Sequence, residues 1–292
     1  MAVFIAQLFL LLQRMMPKRL ITAIVHRLAR IRVRLIKDFL IRSFVKFYEV
    51  NLDEVRKSAP DGFTSFNDFF TRELERGSRP IDSSDLSIVS PADGIISAAG
   101  SIKKNAVLQA KGIDYSLEEL LATDLDEAQR YYDGSFATIY LAPFNYHRVH
   151  APLAGELVAA RFVPGSLFSV NETTVSFLRG LFTRNERLIC HFRTSAGPMV
   201  LIFVGALNVG SITTPWTGEI RPRKGNMVEN IDLQSSSQAK TVNKGDLLGW
   251  FNMGSTIILL LPPGVCDWRS GLESGEALRM GEALGRIVQL KT

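Results

Sequence analysis

Cysteine is scarce in this chain. Its two cysteines, Cys190 and Cys266, form no CxxC pair and no disulfide framework, which fits a reducing compartment. Histidine is scarce as well, at four residues: His26, His147, His150 and His191. Glycine and proline are not in excess and 46% of the 292 residues are apolar, which excludes a disordered or low-complexity chain and allows a substantial core. Long hydrophobic runs are missing. Ala2–Leu12 is apolar but includes Gln7 and falls short of the roughly twenty residues a bilayer-spanning helix needs. No basic stretch precedes it and no small-residue cleavage site follows, so a signal peptide is not expected. Acidic residues are short at one end only. Residues 1–50 carry ten Lys/Arg against two acids, so the net charge of +5 belongs to the N-terminus and the remainder is slightly acidic. A nucleic-acid-binding chain would spread basic surface over its folded domain and interleave aromatics, and that pattern is absent.

What the N-terminal segment does hold is an amphipathic pattern. Pro17 breaks the first apolar run, and the spacing predicts a helix from Arg19 to about Phe47. Ile21, Ile24, Leu28, Ile31 and Leu35 share one face, with Arg27, Arg30, Arg34 and Lys37 on another. Such a helix lies in a membrane interface with its cations among anionic headgroups; packing on the protein's own core or a dimer partner is the competing use. The expected division is residues 1–50 as membrane-binding helices and 51–292 as one folded domain, since no linker interrupts the latter.

Thr64 to Leu74 reads as a capped helix with Phe66, Phe69, Phe70 and Leu74 on its apolar face, ended by Gly77 and Pro80. Short β-rich runs follow at 136–141, 156–163, 188–192, 200–204 and 256–261, with one short helix near Ser116–Leu121. Two turn-plus-strand patterns occur twice: Ser90–Ile96 echoes Ala151–Leu157, and Lys244–Gly249 echoes Met280–Gly285. The fold class expected is α+β, with a β-rich barrel or sandwich-like core built from related hairpins and preceded by the N-terminal amphipathic, membrane-associating helices. Where the second copy has Ala154 the first has Asp93, so the turn itself does not demand a carboxylate.

Two stretches carry possible chemistry. Gly254-Ser255 precedes the strand formers Thr256–Leu261; glycine leaves one side of the peptide open to attack and serine supplies a hydroxyl beside it. Tyr140–Pro152 is a proline-bounded loop holding His147 and His150 around Arg148. Three chemistries fit these residues. Zinc could be held by His147, His150, His191 and Cys190 or Asp93, although neighbours in a strand point to opposite faces. Phosphotransfer through histidine is the second. The third is a relay in which Asp93 orients His150 and His150 deprotonates Ser255, and only this one gives Gly254 a reason to precede the serine.

From about Asn67 to the C-terminus the chain resembles bacterial-type phosphatidylserine decarboxylases. The resemblance rests on FNDFFTREL followed by RPID, SPADG at 90–94, YHRVHAP at 146–152, PGSLFSVN at 164–171, FTRNER at 182–187, VGALNVGSI at 204–212 and KGDLLGWFNMGST at 244–256. Met253 stands where the family more usually has leucine, an apolar swap of similar volume. The resemblance implies a lyase of phospholipid biosynthesis made as a self-cleaving zymogen. Asp93, His150 and Ser255 would form the cleavage relay and cut Gly254–Ser255 into chains 1–254 and 255–292. Ser255 would become a covalent pyruvoyl group, the only cofactor, with no metal and no pyridoxal phosphate. That group would form a Schiff base with phosphatidylserine and release carbon dioxide and phosphatidylethanolamine, with His147 contacting the carboxylate or returning the proton. It further implies a heterodimer of the two cleaved chains, a further homodimer, no nucleic acid, and peripheral attachment to the cytoplasmic face of the cell membrane. A barrel-type metallohydrolase using His147, His150 and Asp93, and a non-enzymatic membrane-binding scaffold, are the alternatives.

Overall fold

The computed structural model describes residues 2–110, 113–208, 211–223, 225 and 227–288. Three helices lead the chain: α1 (Ala2–Met15), α2 (Lys18–Ala29) and α3 (Arg34–Tyr48). Pro17 separates the first two, as its missing N–H and fixed φ require. The single helix expected from Arg19 to Phe47 is two. The chain leaves helical geometry between Arg30 and Val33, where β-branched Ile31 and Val33 favour extended backbone. The break lets α3 turn Ile41 and Phe44 towards a separate apolar cluster, while Leu20, Ile24, Leu28, Leu35, Phe39 and Phe47 remain exposed. Among the described residues no helix is long and apolar enough to cross a membrane.

Helix α4 is shorter than expected, Phe66–Phe70. The Ser65 hydroxyl accepts from Asp68 N–H at 3.1 Å and the Asp68 carboxylate accepts from Thr64 N–H at 2.9 Å, a reciprocal cap. Phe63, Phe66, Phe69 and Phe70 are buried with Phe44 in edge-to-face contacts. The chain turns away after Phe70 because Leu74 bridges to Val55, and buried Arg72 donates to the carbonyls of Phe144 and Asn145.

All five expected strands exist, and they belong to one nine-stranded antiparallel sheet. Thr256–Leu261 sits inside it, paired with Gly197–Val204 on one side and Ser135–Tyr140 on the other, and every residue of it is buried. A strand buried on both faces reads as an unbroken apolar run, which is what Ile257–Leu261 is. The sheet does not close into a barrel among the described residues. Its ends, Glu229–Asn230 and Ala277–Leu278, are two residues long and are not paired with each other. The internal echo has a structural counterpart. Ser90 N–H donates to Glu282 O as Ala151 N–H donates to Asp246 O, and Gly281 N–H donates to Ser90 O as Gly245 N–H donates to Ala151 O. Gly245 and Gly281 take left-handed φ values of 88° and 91°, so both copies need glycine there. The two copies also bond each other, His150 N–H to Pro91 O and Val89 N–H to Pro152 O, which brings Asp93 and His150 into one neighbourhood.

Candidate active site

The site forms where the loop after Ser135–Tyr140 passes the loop before Thr256–Leu261. Leu141 N–H donates to Ser255 O at 2.7 Å and Phe251 N–H to His147 O at 3.2 Å, tying the two loops together. Asn145 shapes the first, its side-chain oxygen accepting from Ala142 N–H at 2.7 Å while its own N–H donates to Ala142 O. Asn252 holds the second: its amide donates to Ser211 Oγ at 2.7 Å and Thr213 Oγ1 at 2.9 Å, and its oxygen accepts from Asn67 of α4 at 3.1 Å.

His147 is fully buried, and its ring stacks on Phe70 at 4.0 Å between centroids. Nε2–H donates to Pro143 O at 3.1 Å, which leaves Nδ1 as the bare, unpartnered nitrogen. A Cβ on Gly254 would lie 2.5 Å from His147 Cε1 and 3.1 Å from both His147 Nδ1 and Leu141 O, so only glycine fits against this ring. Gly254 does not take a left-handed φ; its role is close approach. Ser255 is buried and its hydroxyl has no hydrogen-bond partner. Burial drives His147 down to about 3 and the Arg72 charge adds to this, against the Pro143 carbonyl, so the imidazole is neutral.

His150 lies three residues on. Its Nδ1 donates to Gly245 O at 2.8 Å, so Nε2 carries the lone pair and accepts the Tyr146 hydroxyl at 3.0 Å. Burial lowers its pKa; the Gly245 carbonyl and the charges of Asp93 and Asp246 oppose that, while Arg148 reinforces it. The direct Asp93–His150 hydrogen bond expected from the sequence is not formed, and His150 does not bond Ser255. The Asp93 carboxylate instead takes Arg79 Nε at 2.8 Å, Arg79 Nη2 at 2.6 Å and Met280 N–H at 2.8 Å. A two-pronged guanidinium outcompetes a neutral imidazole for the same oxygens. Asp93 therefore acts on His150 as a nearby negative charge.

Cys190 and His191 lie on the strand Arg187–Thr194, where His191 pairs with Glu127 at 3.3 Å. Among the described residues no group of three or more His, Cys, Asp or Glu side chains is placed to hold a metal ion, so the metallohydrolase reading loses its ligand set. The sequence did not single out Phe70 as a platform for His147, Arg79 as the partner of Asp93, or Asn252 as the clamp on the cleavage loop. All three lie within quoted motifs, but their roles depend on residues about 80, 14 and 40 positions away, respectively.

Glu186, within FTRNER, has no sequence signal that marks it out. It is 2% exposed, one of its oxygens has no partner, and burial pushes its pKa up to about 8 against the opposing charges of Arg19 and Arg223. The folded form thus holds a proton that the unfolded chain releases near the usual carboxyl range. Stability from this group is present at low pH and is lost as pH rises from about 4.3 towards 8. Glu186→Gln should flatten that decline, read as Tm against pH beside the wild type. An unchanged slope would show that the carboxyl does not titrate in the window.

The phosphatidylserine decarboxylase family model matches residues 66–286, and a second model, described as PSD, matches 8–49. The chain is 45% identical over 285 residues to the phosphatidylserine decarboxylase proenzyme of Methylococcus capsulatus, covering 98% of each chain. It is 46% identical over 278 residues to that of Psychrobacter cryohalolentis (95% of this chain, 98% of the relative). With the proenzyme of Hahella chejuensis it shares 42% over 284 residues (97% and 95%).

Proposed function

The chain belongs to the phosphatidylserine decarboxylase family, and we propose that it is a proenzyme that cuts itself at Gly254–Ser255 and then converts phosphatidylserine to phosphatidylethanolamine and carbon dioxide. The observation that carries this is the pairing of a buried, unpartnered Ser255 hydroxyl with a glycine pressed against an imidazole. In the first reaction Ser255 Oγ attacks the Gly254 carbonyl carbon. The hydroxyl proton passes to a histidine, the peptide C–N bond breaks, and the nitrogen of residue 255 takes up a proton, leaving an ester. Removal of the residue-255 Cα proton expels the Gly254 carboxylate by β-elimination. The dehydroalanine left at 255 takes up water and loses ammonia to become the pyruvoyl group.

His150 is the better base for this sequence. Burial lowers both imidazoles, but Gly245 O, Asp93 and Asp246 oppose this at His150, whereas His147, at about 3, is too weak a base to hold a proton near neutrality. The proton reaches His150 Nε2 either directly or through the Tyr146 hydroxyl that caps it. The pyruvoyl group supplies an electron-accepting carbonyl for loss of carbon dioxide. His147, held against residue 254 by Phe70 and Pro143, is positioned to face the departing carboxylate. Chains 1–254 and 255–292 would stay together because Thr256–Leu261 is hydrogen-bonded along both edges. The exposed apolar residues of α1–α3 and their cations favour peripheral attachment to an anionic membrane on the cytoplasmic side, which brings the lipid substrate to the site without extracting its acyl chains.

The two histidines separate by experiment. His150→Ala should leave one uncut chain by intact mass. His147→Ala should still cut but lose decarboxylation by about 10²–10⁴-fold. Cutting in His150→Ala together with no cutting in His147→Ala would reverse the two roles.

A further inference from the structure

A second basic feature lies outside the cleavage loops. Arg19, Thr22, Ala23, His26, Arg27 and Arg30 of α2 and its C-terminal turn, with Arg221 and Pro222 opposite, line a cavity of about 430 Å³. Behind the lining, the Glu219 carboxylate accepts from His26 at 2.9 Å, Arg30 at 2.6 Å, Arg221 at 3.2 Å and Ser211 at 2.6 Å. Burial pushes the Glu219 carboxyl up, but the Ser211 and His26 hydrogen bonds and the Arg30 charge outweigh it and hold it down to about 2. Of the four arginines lining the cavity, Arg30 and Arg221 share this one carboxylate, and among the described residues Arg27 makes no ion pair, which leaves an excess of cation at the site. Arg19 is turned to Gly165 O, and Arg27 is exposed.

The surroundings say what kind of anion fits. On α2, Leu20, Ile24 and Leu28 form an exposed apolar ridge, 59%, 46% and 49% accessible, beside the ridge of Arg19, Ala23, Arg27 and Arg30. A ligand in the cavity therefore has apolar surface at its lip, which suits a lipid more than a soluble anion. The lining residues are also connected to the cleavage loop through Glu219. Glu219 bonds Ser211, Ser211 bonds Asn252, and Asn252 stands two residues before Gly254.

We infer that this cavity receives the phosphate of a phospholipid headgroup, with the guanidinium groups of Arg27, Arg30 and Arg221 as donors and the ridge of Leu20, Ile24 and Leu28 alongside the acyl chains. The inference rests on the interfacial reading of α1–α3 given above. Arginine suits the role because its planar fork matches phosphate oxygens.

The test is sedimentation of the full chain with phosphatidylcholine vesicles carrying phosphatidylglycerol, and with vesicles carrying oleate at the same charge density. The double variant Arg27→Gln with Arg221→Gln is compared with Arg42→Gln with Lys46→Gln, which removes equal charge elsewhere on the helices. Each basic residue near an anionic surface is worth about fivefold in affinity, so lost charge alone costs either variant about 25-fold, and on phosphatidylglycerol vesicles the cavity variant should lose about tenfold more than the control, the scale of one charge-assisted hydrogen bond. On oleate, which has no phosphate, its loss should not exceed that of the control variant. Equal losses for the two variants on phosphatidylglycerol would mean diffuse surface charge and overturn the inference. So would a Tm rise with inorganic phosphate in the wild type without any vesicle defect in the cavity variant, which would assign the cavity to a free anion. Wild-type protein that ignores both kinds of vesicle would instead sink the interfacial reading beneath it. Arg27 and Arg221 are exposed, so loss of folding is not expected, and matching Tm values check this.

Discussion

Ser255→Ala is expected to remain a single chain of residues 1–292 where the wild type yields 1–254 and a smaller chain with a blocked residue 255. Decarboxylation should fall by at least about 10⁴-fold, the scale on which losing an activated nucleophile acts, because the same atom is both nucleophile and precursor of the reactive carbonyl. The structure makes an additional, less obvious demand on this variant. Ser255 Oγ is buried without a partner, and an unsatisfied buried hydroxyl costs about 1–3 kcal/mol. Replacing it by a methyl group should leave stability unchanged or raise it, so inactivity cannot be ascribed to misfolding. Intact mass, Tm and headgroup conversion on one preparation decide the matter. A single full-length chain in the wild type would mean that the Gly-Ser turn is only a turn. A cut chain in Ser255→Ala would move the nucleophile elsewhere.

Arg79→Met is expected to be the most destabilising single change near the site. Arg79 joins Asp93 and Glu54, and the Arg79 and Asp93 side chains are 10% and 8% exposed. Removing the cation leaves Asp93 in the interior with only Met280 N–H as a donor. Breaking a buried pair by deleting one partner costs about 3–5 kcal/mol, mostly because the other charge is stranded. Adding Asp93→Asn to Arg79→Met should therefore recover much of the loss, a non-additivity expected of residues in contact. Urea unfolding of the single and double variants measures it. A cost below about 1 kcal/mol for Arg79→Met would place the pair among ordinary surface bridges. The double variant should be stable yet cut slowly, since His150 would lose the negative charge that supports its basicity.

Much of the frame was legible in the sequence, for identifiable reasons. Thr256–Leu261 is a buried central strand, and its six-residue length, the preceding Gly-Ser turn and the β-branched Thr256, Ile257 and Ile258 favour a strand over a helix. Pro17 and the Ser65 cap state their positions locally. The duplicated turns were visible because left-handed glycines must recur where the turns recur. The split between α2 and α3 was not legible, because the apolar spacing continues across Ile31–Val33 and only the packing of Phe44 on α4 shows that the chain has turned. Barrel closure was not legible either. Alternating and apolar patterns set which face of a strand is buried, while closure depends on whether the two edge strands meet, and among the described residues they are not paired.

The sequence by itself determined the parts of the site: a glycine–serine junction before a strand, two histidines on a proline-bounded loop, and an aspartate in a turn that does not need one. It could do so because those residue types are chosen by local chemistry. Only the tertiary structure decided the partners. It set His147 rather than His150 against Gly254, gave His150 to Tyr146 and Gly245, and gave Asp93 to Arg79. Each of those outcomes is a competition for a hydrogen bond among groups that folding brings together. The stronger or better-aimed donor wins it, and nothing local to either residue specifies which one that will be.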